Sequence, residues 1–347
     1  MNLASTLNTD NLPPDPQDVR DDLPPFIDAA DMLANPESEP PVLIDGLLHQ
    51  GSKFVIGGCS KSFKTWCLTD MAISIALGIP WWGVETVVGK VLYLNFEIQP
   101  CFFTKRIAAI CRAKKCTIDR THLVVLNMRG YAAGFDLLLP NIAERITGQK
   151  YSLVIVDPIY KGLGSLNEND AGDMAKLLNE VELLAVKTGA AAAFGAHFSK
   201  GNQSGKEAID RISGSGVFAR DPDTILTMTR HEEENAFTID ATLRNFAPMD
   251  PFCVRWQYPL MVRDDELDPS KLKQVIGRKA TYTVEQITAL LKADGMTTTE
   301  WKTCCEEEKG VSKSTFHRLV TEAQEKGLIS KIGEKWKLVP KVPEVPE

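Results

Sequence analysis

Apolar runs and helix-period stretches alternate along most of this chain. From Pro41 onward the pattern predicts strand 53–57, helix 64–77, strand 90–96, helix 102–114, strand 122–127, helix 136–147, strand 152–157, helix 171–187 and strand 190–197. The strand segments are apolar at successive positions, as in Val91-Leu92-Tyr93-Leu94 and Leu153-Val154-Ile155-Val156. That pattern suits a sheet covered on both faces. The expected fold is therefore α/β, a mostly parallel sheet flanked by helices, with ligands collecting at the carboxyl ends of the strands. Segments 223–230, 236–243 and 252–257 read as further strands that extend the sheet through hairpin pairing.

Both ends of the chain break this pattern. Residues 1–40 hold seven prolines among acidic and small polar residues, so they bury too little apolar surface to offset ordering and read as a flexible arm. The core is expected over 41–263, a linker over 264–280, a small helical module over 281–340 and a tail over 341–347. Within the module, 282–294, 297–309 and 312–326 carry helical patterns punctuated by Gly295, Gly310 and Gly327, with Thr297 and Ser312 as N-cap candidates. Ile329 to Leu338 reads as a hairpin, and three helices with a hairpin predict a winged helix.

Composition narrows the class. The 347 residues carry a formal charge of −7, yet residues 271–347 hold 14 Lys and Arg against 11 Asp and Glu, so an acidic body precedes a mildly basic end. An acidic body disfavours indiscriminate coating of nucleic acid, while leaving room for local basic loops. No apolar run reaches the roughly 18 residues of a membrane span, and the acidic, Pro-rich start does not resemble a signal peptide, so a cytoplasmic protein without membrane contact is expected. The eight cysteines include no C-x-x-C pair and suit reduced thiols better than a disulfide framework or a zinc site.

The chemistry begins where the first core strand ends. Gly58-Cys59-Ser60-Lys61-Ser62-Phe63-Lys64-Thr65 matches G-x-x-x-x-G-K-[ST], the loop whose amides cradle phosphates, except that Phe63 stands at the second glycine. The plainer alternative is a strand-to-helix turn. Asp157, closing Leu153-Val154-Ile155-Val156, fits a Walker B aspartate aimed at a magnesium ion shared with Thr65, or else an ordinary Asp-Pro turn. Glu97 closes the strand after the loop's helix, one crossover away, where a carboxylate could activate water; the alternative is a solvated strand-end glutamate. His197 closes the Ala-rich strand 190–196, and a histidine there could sense a terminal phosphate or simply pack.

Taken in order, Gly58, Lys64-Thr65, Glu97, Asp157-Pro158, His197-x₂-Lys200-Gly201 and Gly214-Ser215-Gly216 resemble the RecA/DnaB-type ATPases over roughly residues 41–260. The set is most similar to the branch containing the plasmid replicative helicase RepA and its phage and mobile-element relatives. The resemblance implies that Lys64 and Thr65 bind ATP and Mg2+, that Asp157 positions the metal, that Glu97 activates water and that His197 senses the γ-phosphate. It also implies a homo-oligomer, such as a hexamer, in which a neighbour's arginine completes each site. Arg211, Arg220 and Arg244 are the candidates, and Arg244 is preferred because Leu243-Arg244-Asn245 resembles the late Arg-Asn segment of DnaB-type helicases. Where that family has a following glycine, this chain has Phe246.

Two loops could form the central nucleic-acid track that the resemblance implies. Ser199 to Arg211, with Lys200, Lys206 and Arg211, is preferred over Lys161 to Met174; a flexible surface loop is the alternative. Single-stranded DNA is the expected partner there. The winged-helix reading makes Lys313, Ser314, Thr315, His317 and Arg318 candidate readers of duplex DNA, although such modules also bind proteins. Trp301, Phe316 and Trp336 are expected in the core of the module. The function expected from all this is an ATP-hydrolysing protein acting on DNA, a helicase or helicase-like motor of a mobile element. An ATP-dependent DNA-binding switch and a catalytically inactive assembly protein are the alternatives.

Overall fold

The computed structural model describes residues 24–131, 134–162, 164, 166–167, 170–197, 220–273 and 282–339. A short helix α1 (Ala29–Ala34) and a hairpin of β1 (Val42–Ile44) and β2 (Leu48–His49) precede the main sheet. Then come β3 (Lys53–Gly58), α2 (Lys64–Leu77), β4 (Lys90–Asn95), α3 (Pro100–Lys114), β5 (Leu123–Asn127), α4 (Phe135–Ile146), β6 (Tyr151–Asp157), α5 (Ala171–Thr188), β7 (Ala191–His197), β8 (Thr224–Arg230), β9 (Ala236–Leu243), β10 (Phe252–Gln257) and β11 (Leu260–Arg263).

One nine-stranded sheet runs in the order β11-β10-β9-β8-β3-β7-β6-β4-β5. The six strands from β8 to β5 are parallel, and β9, β10 and β11 continue the sheet by antiparallel pairing. Helices α2 and α3 cover one face, where Leu68, Met71, Ile75 and Phe103 pack on Phe54, Ile56, Tyr93 and Ile155. Helices α4 and α5 cover the other, with Phe135, Leu139, Leu178 and Val181 against Val154, Val156 and Phe194. This double cover explains why β3, β6 and β7 are apolar at consecutive positions. Helix α2 is buried from Cys67 through Ala76, so its sequence lacks a polar stripe.

Several features differ from what the pattern predicts. Strand β4 does not lie next to β3, because β7 and β6 come between them. The arm contains α1, capped by Asp28 Oδ1 accepting from the Ala30 amide at 2.7 Å, with every residue of the helix exposed. Strand β11 follows a two-residue turn after β10 and was not foreseen in so short a segment.

Among residues 282–339 the elements are α6 (Val284–Thr288), β12 (Met296–Thr297), α7 (Thr298–Lys309), α8 (Lys313–Glu325), β13 (Ile329–Ile332) and β14 (Lys335–Leu338). The helix expected over 282–294 is confined to α6. Residues 289–295 run in turns and coil, after which Met296 and Thr297 pair with Trp336 and Lys335 in a three-stranded sheet β12-β14-β13. Thr297 caps α7 through a reciprocal pair with Glu300. Trp301, Phe316 and Trp336 are buried together, and the Trp301 indole donates to the Ile287 carbonyl at 2.8 Å. No helix among the described residues is long and apolar enough to cross a membrane.

Candidate functional site

The carboxyl ends of β3, β4, β6 and β7 meet around one cavity of about 630 Å³. Its walls include Ser60 through Trp66, Glu97, Arg106, Asp157, Tyr160 and His197. Although β4 stands two strands away from the expected place, Glu97 still reaches this cavity because β4 and β6 run in register, with Asn95 opposite Asp157. Glu97 is exposed at the next turn.

The loop from Gly58 to Thr65 joins β3 to α2. Gly58 packs closely: a Cβ there would stand 2.6 Å from Ser62 Oγ, itself buried without a hydrogen-bond partner among the described residues, and that hydroxyl would have to move. Phe63 occupies the left-handed region, with φ 65 and ψ 17, and supplies no side-chain cap to α2. The first amides of the helix are therefore left without a side-chain acceptor, the arrangement that receives anions at a helix N-terminus. The Phe63 ring turns away from the loop to stack on Trp256, with centroids 4.2 Å apart.

The Lys64 ammonium donates to the carbonyls of Gly58 (2.9 Å) and Cys59 (3.0 Å) and lies 3.4 Å from His197 Nδ1. Burial lowers its pKa to about 8, while the nearby carboxylates of Asp157 and Glu97 favour its charge. Asp157 is buried, and burial raises its carboxyl above the ordinary value, while hydrogen bonds from Tyr93 and Thr65 pull it back. The Tyr93 hydroxyl donates to Asp157 Oδ2 at 2.7 Å. Tyr93 faces Ile155 in the ladder and so shares a sheet face with Asp157 two residues on.

This donor set fits a nucleotide phosphate with magnesium. A cationic amine and a helix start without a side-chain cap face the cavity, and a hydroxyl from Thr65 meets a carboxylate from Asp157. Thr65 and Asp157 would hold the ion, which when bound neutralises phosphate charge.

Four residues escaped sequence reasoning. Tyr93 was visible only as a hydroxyl in an aliphatic strand, where it needs a buried partner. Arg106 on α3 lies over the Trp66 ring, 4.7 Å from its centroid, and lines the cavity. Tyr160 sits 5.9 Å from the His197 ring, and Trp256 arrives from the far edge of the sheet. No motif spacing marks these positions.

Other expected residues lie elsewhere. Arg244 follows β9, where Leu243 pairs with Thr224, and Thr224 pairs with Phe54 near the start of β3; it is therefore at the opposite end of the sheet from Lys64. There its guanidinium donates to the Arg220 carbonyl and, at 3.5 Å, to Asp223. Lys61 is exposed. Lys200, Lys206 and Arg211 lie outside the described residues, as does Gly214-Ser215-Gly216. Lys313 and Arg318 are exposed on α8, Thr315 is half-buried and accepts from Ser312 at 3.0 Å, and Arg318 meets Glu322 at 3.4 Å.

A RecA-like α/β sheet with a phosphate-type loop at the end of β3 defines a P-loop ATPase. Residues 14–203 match the AAA domain family, and the chain belongs to that family. No curated protein matches the chain in sequence.

Proposed function

We propose that this protein is an oligomeric ATPase acting on DNA, a helicase or helicase-like motor of the RepA-like branch. The observation that carries the ATPase half is the convergence of Lys64, Thr65, Glu97, Asp157 and His197 on one cavity, although they come from four different strand ends. Lys64 and the start of α2 bind and orient the phosphates. Glu97 accepts a proton from the attacking water, and His197, beside the Lys64 amine, responds to loss of the terminal phosphate. Because Arg244 stands at the far end of its own sheet, it can take part in hydrolysis only across a subunit boundary.

The DNA half rests on the resemblance and on the terminal module. Helix α8 offers exposed Lys313, His317 and Arg318, and β13 and β14 form a hairpin beside it, the arrangement of a winged helix. In sequence, Lys200, Lys206 and Arg211 follow within fourteen residues of His197, and contact of these cations with a single strand would couple it to phosphate state. A forked DNA duplex with a single-stranded tail, incubated with Mg-ATP and the full chain, tests the whole reading. Strand displacement that requires ATP supports the motor; DNA-stimulated ATP turnover without displacement favours the switch. Absence of both ATP turnover and DNA binding removes the proposal.

A further inference from the structure

The P-loop pattern asks for glycine at position 63, and this chain places a phenylalanine there in the left-handed region, φ 65. For a residue with a side chain that region is disfavoured over the right-handed one, and bulky residues are uncommon in it. Something outside the loop must hold the backbone there. The Phe63 ring lies nearly parallel to Trp256, 4.2 Å between centroids and 15° between planes, and meets Phe237 edge-on at 6.2 Å. Trp66, in the first turn of α2, packs on the same indole at 5.4 Å. Trp256 is itself fixed by antiparallel pairing with Met261 and by its amide donating to the Asn235 carbonyl at 2.8 Å. The hairpin at the sheet edge thus packs on one side of the helix start, at Phe63 and Trp66.

We propose that Trp256 is a positioning residue for the nucleotide site. Its indole holds Phe63 in the conformation that glycine would adopt freely, and so keeps the first amides of α2 and the Lys64 amine directed into the phosphate cavity. This rests on the nucleotide reading above and deepens it: in place of a permissive glycine, the loop's shape depends on an aromatic stack supplied by β10. Trp256 touches no reacting atom. Its effect passes through Phe63.

The dependence is testable because glycine at position 63 removes the need for the stack. Trp256→Leu keeps apolar bulk on β10, and Trp256→Phe keeps an aromatic face; Mg-ATP binding to the full-length protein is measured calorimetrically for both, each in the natural sequence and in a Phe63→Gly background. In the natural sequence, Trp256→Leu should weaken binding roughly tenfold, about 1.4 kcal/mol, and Trp256→Phe should restore most of the loss. In the Phe63→Gly background, Trp256→Leu should change affinity by less than about twofold. Equal losses in both backgrounds would mean that Trp256 merely supports the sheet edge, and would overturn the proposal. So would unaltered binding by Trp256→Leu in the natural sequence. Natural protein that binds no Mg-ATP would instead remove the nucleotide reading, and this assignment with it.

Discussion

The Tyr93 hydroxyl, on β4, donates a 2.7 Å hydrogen bond to Asp157 Oδ2, on β6, inside a doubly covered sheet. The tyrosine thereby fixes the orientation of a carboxylate whose other neighbours include Thr65 and Lys64. Tyr93→Phe leaves that oxygen buried without its donor. It should cost about 1–2 kcal/mol of stability and raise the magnesium concentration needed for half-maximal ATP turnover several-fold. Titration of turnover with Mg2+, beside a denaturant melt, separates these effects. An unaltered magnesium requirement would count against a metal role for Asp157.

Glu97 and Lys64 share a cavity but have different expected duties. Lys64→Ala should abolish both ATP binding and turnover. Glu97→Gln should reduce turnover by roughly a hundredfold or more while retaining binding, because only proton acceptance is lost. Single-turnover hydrolysis together with equilibrium binding checks this, and full turnover in Glu97→Gln would exclude it as the base.

The Lys64 amine gives the site a pH dependence with a definite sign. Its pKa is about 8 in the folded chain against 10.5 for the unperturbed group. Below about pH 8 the amine is charged in both folded and unfolded chains, and burying that charge opposes folding in full. Between about 8 and 10.5 the unfolded chain holds a proton that the folded chain has released, so unfolding free energy rises with pH across this window. Bound phosphate favours the charged amine, so nucleotide binding near pH 8 to 9 should take up protons and weaken as pH rises further. Calorimetry of the natural protein in buffers of different ionisation enthalpy measures the uptake, and the same binding heat in every buffer at pH 8 to 9 would exclude it.

Arg244 and Lys64 occupy opposite ends of the sheet, so in the proposed oligomer they would complement each other between subunits. Arg244→Ala and Lys64→Ala proteins should each be inactive alone. Mixed, they should recover part of the ATP turnover at interfaces that pair an intact loop with an intact arginine. Turnover as a function of mixing ratio reads this out, and a flat response would remove Arg244 from the site.

Much of the core was legible because burial on both faces imposes a simple local code. The helix over 64–77 and the strands over 236–243 and 252–257 have the expected bounds, since apolar period and flanking turns decide them locally. The short elements were less legible. Strand β12 has two residues and exists only because Trp336 and Lys335 lie opposite it, and α6 is a single short helix where a longer one was expected. The cavity's chemistry divides in the same way. Lys64, Thr65 and Asp157 are marked by spacing, whereas Tyr93, Arg106 and Trp256 acquire meaning only from what stands beside them.

Phe63 shows where the division falls. By itself the sequence determined a covered parallel sheet and put a phosphate-type loop, with one residue out of pattern, at the end of its first core strand. Those properties follow from periodicity and from residues adjacent in the chain. Only the tertiary structure decided that Phe63 leaves the loop to stack on Trp256, that Tyr93 holds Asp157, and that Glu97 reaches the cavity from a strand separated from β3 by two others. The physical reason is that strand order and side-chain stacking are contacts between distant segments, selected by the packing of the whole core rather than by any local preference.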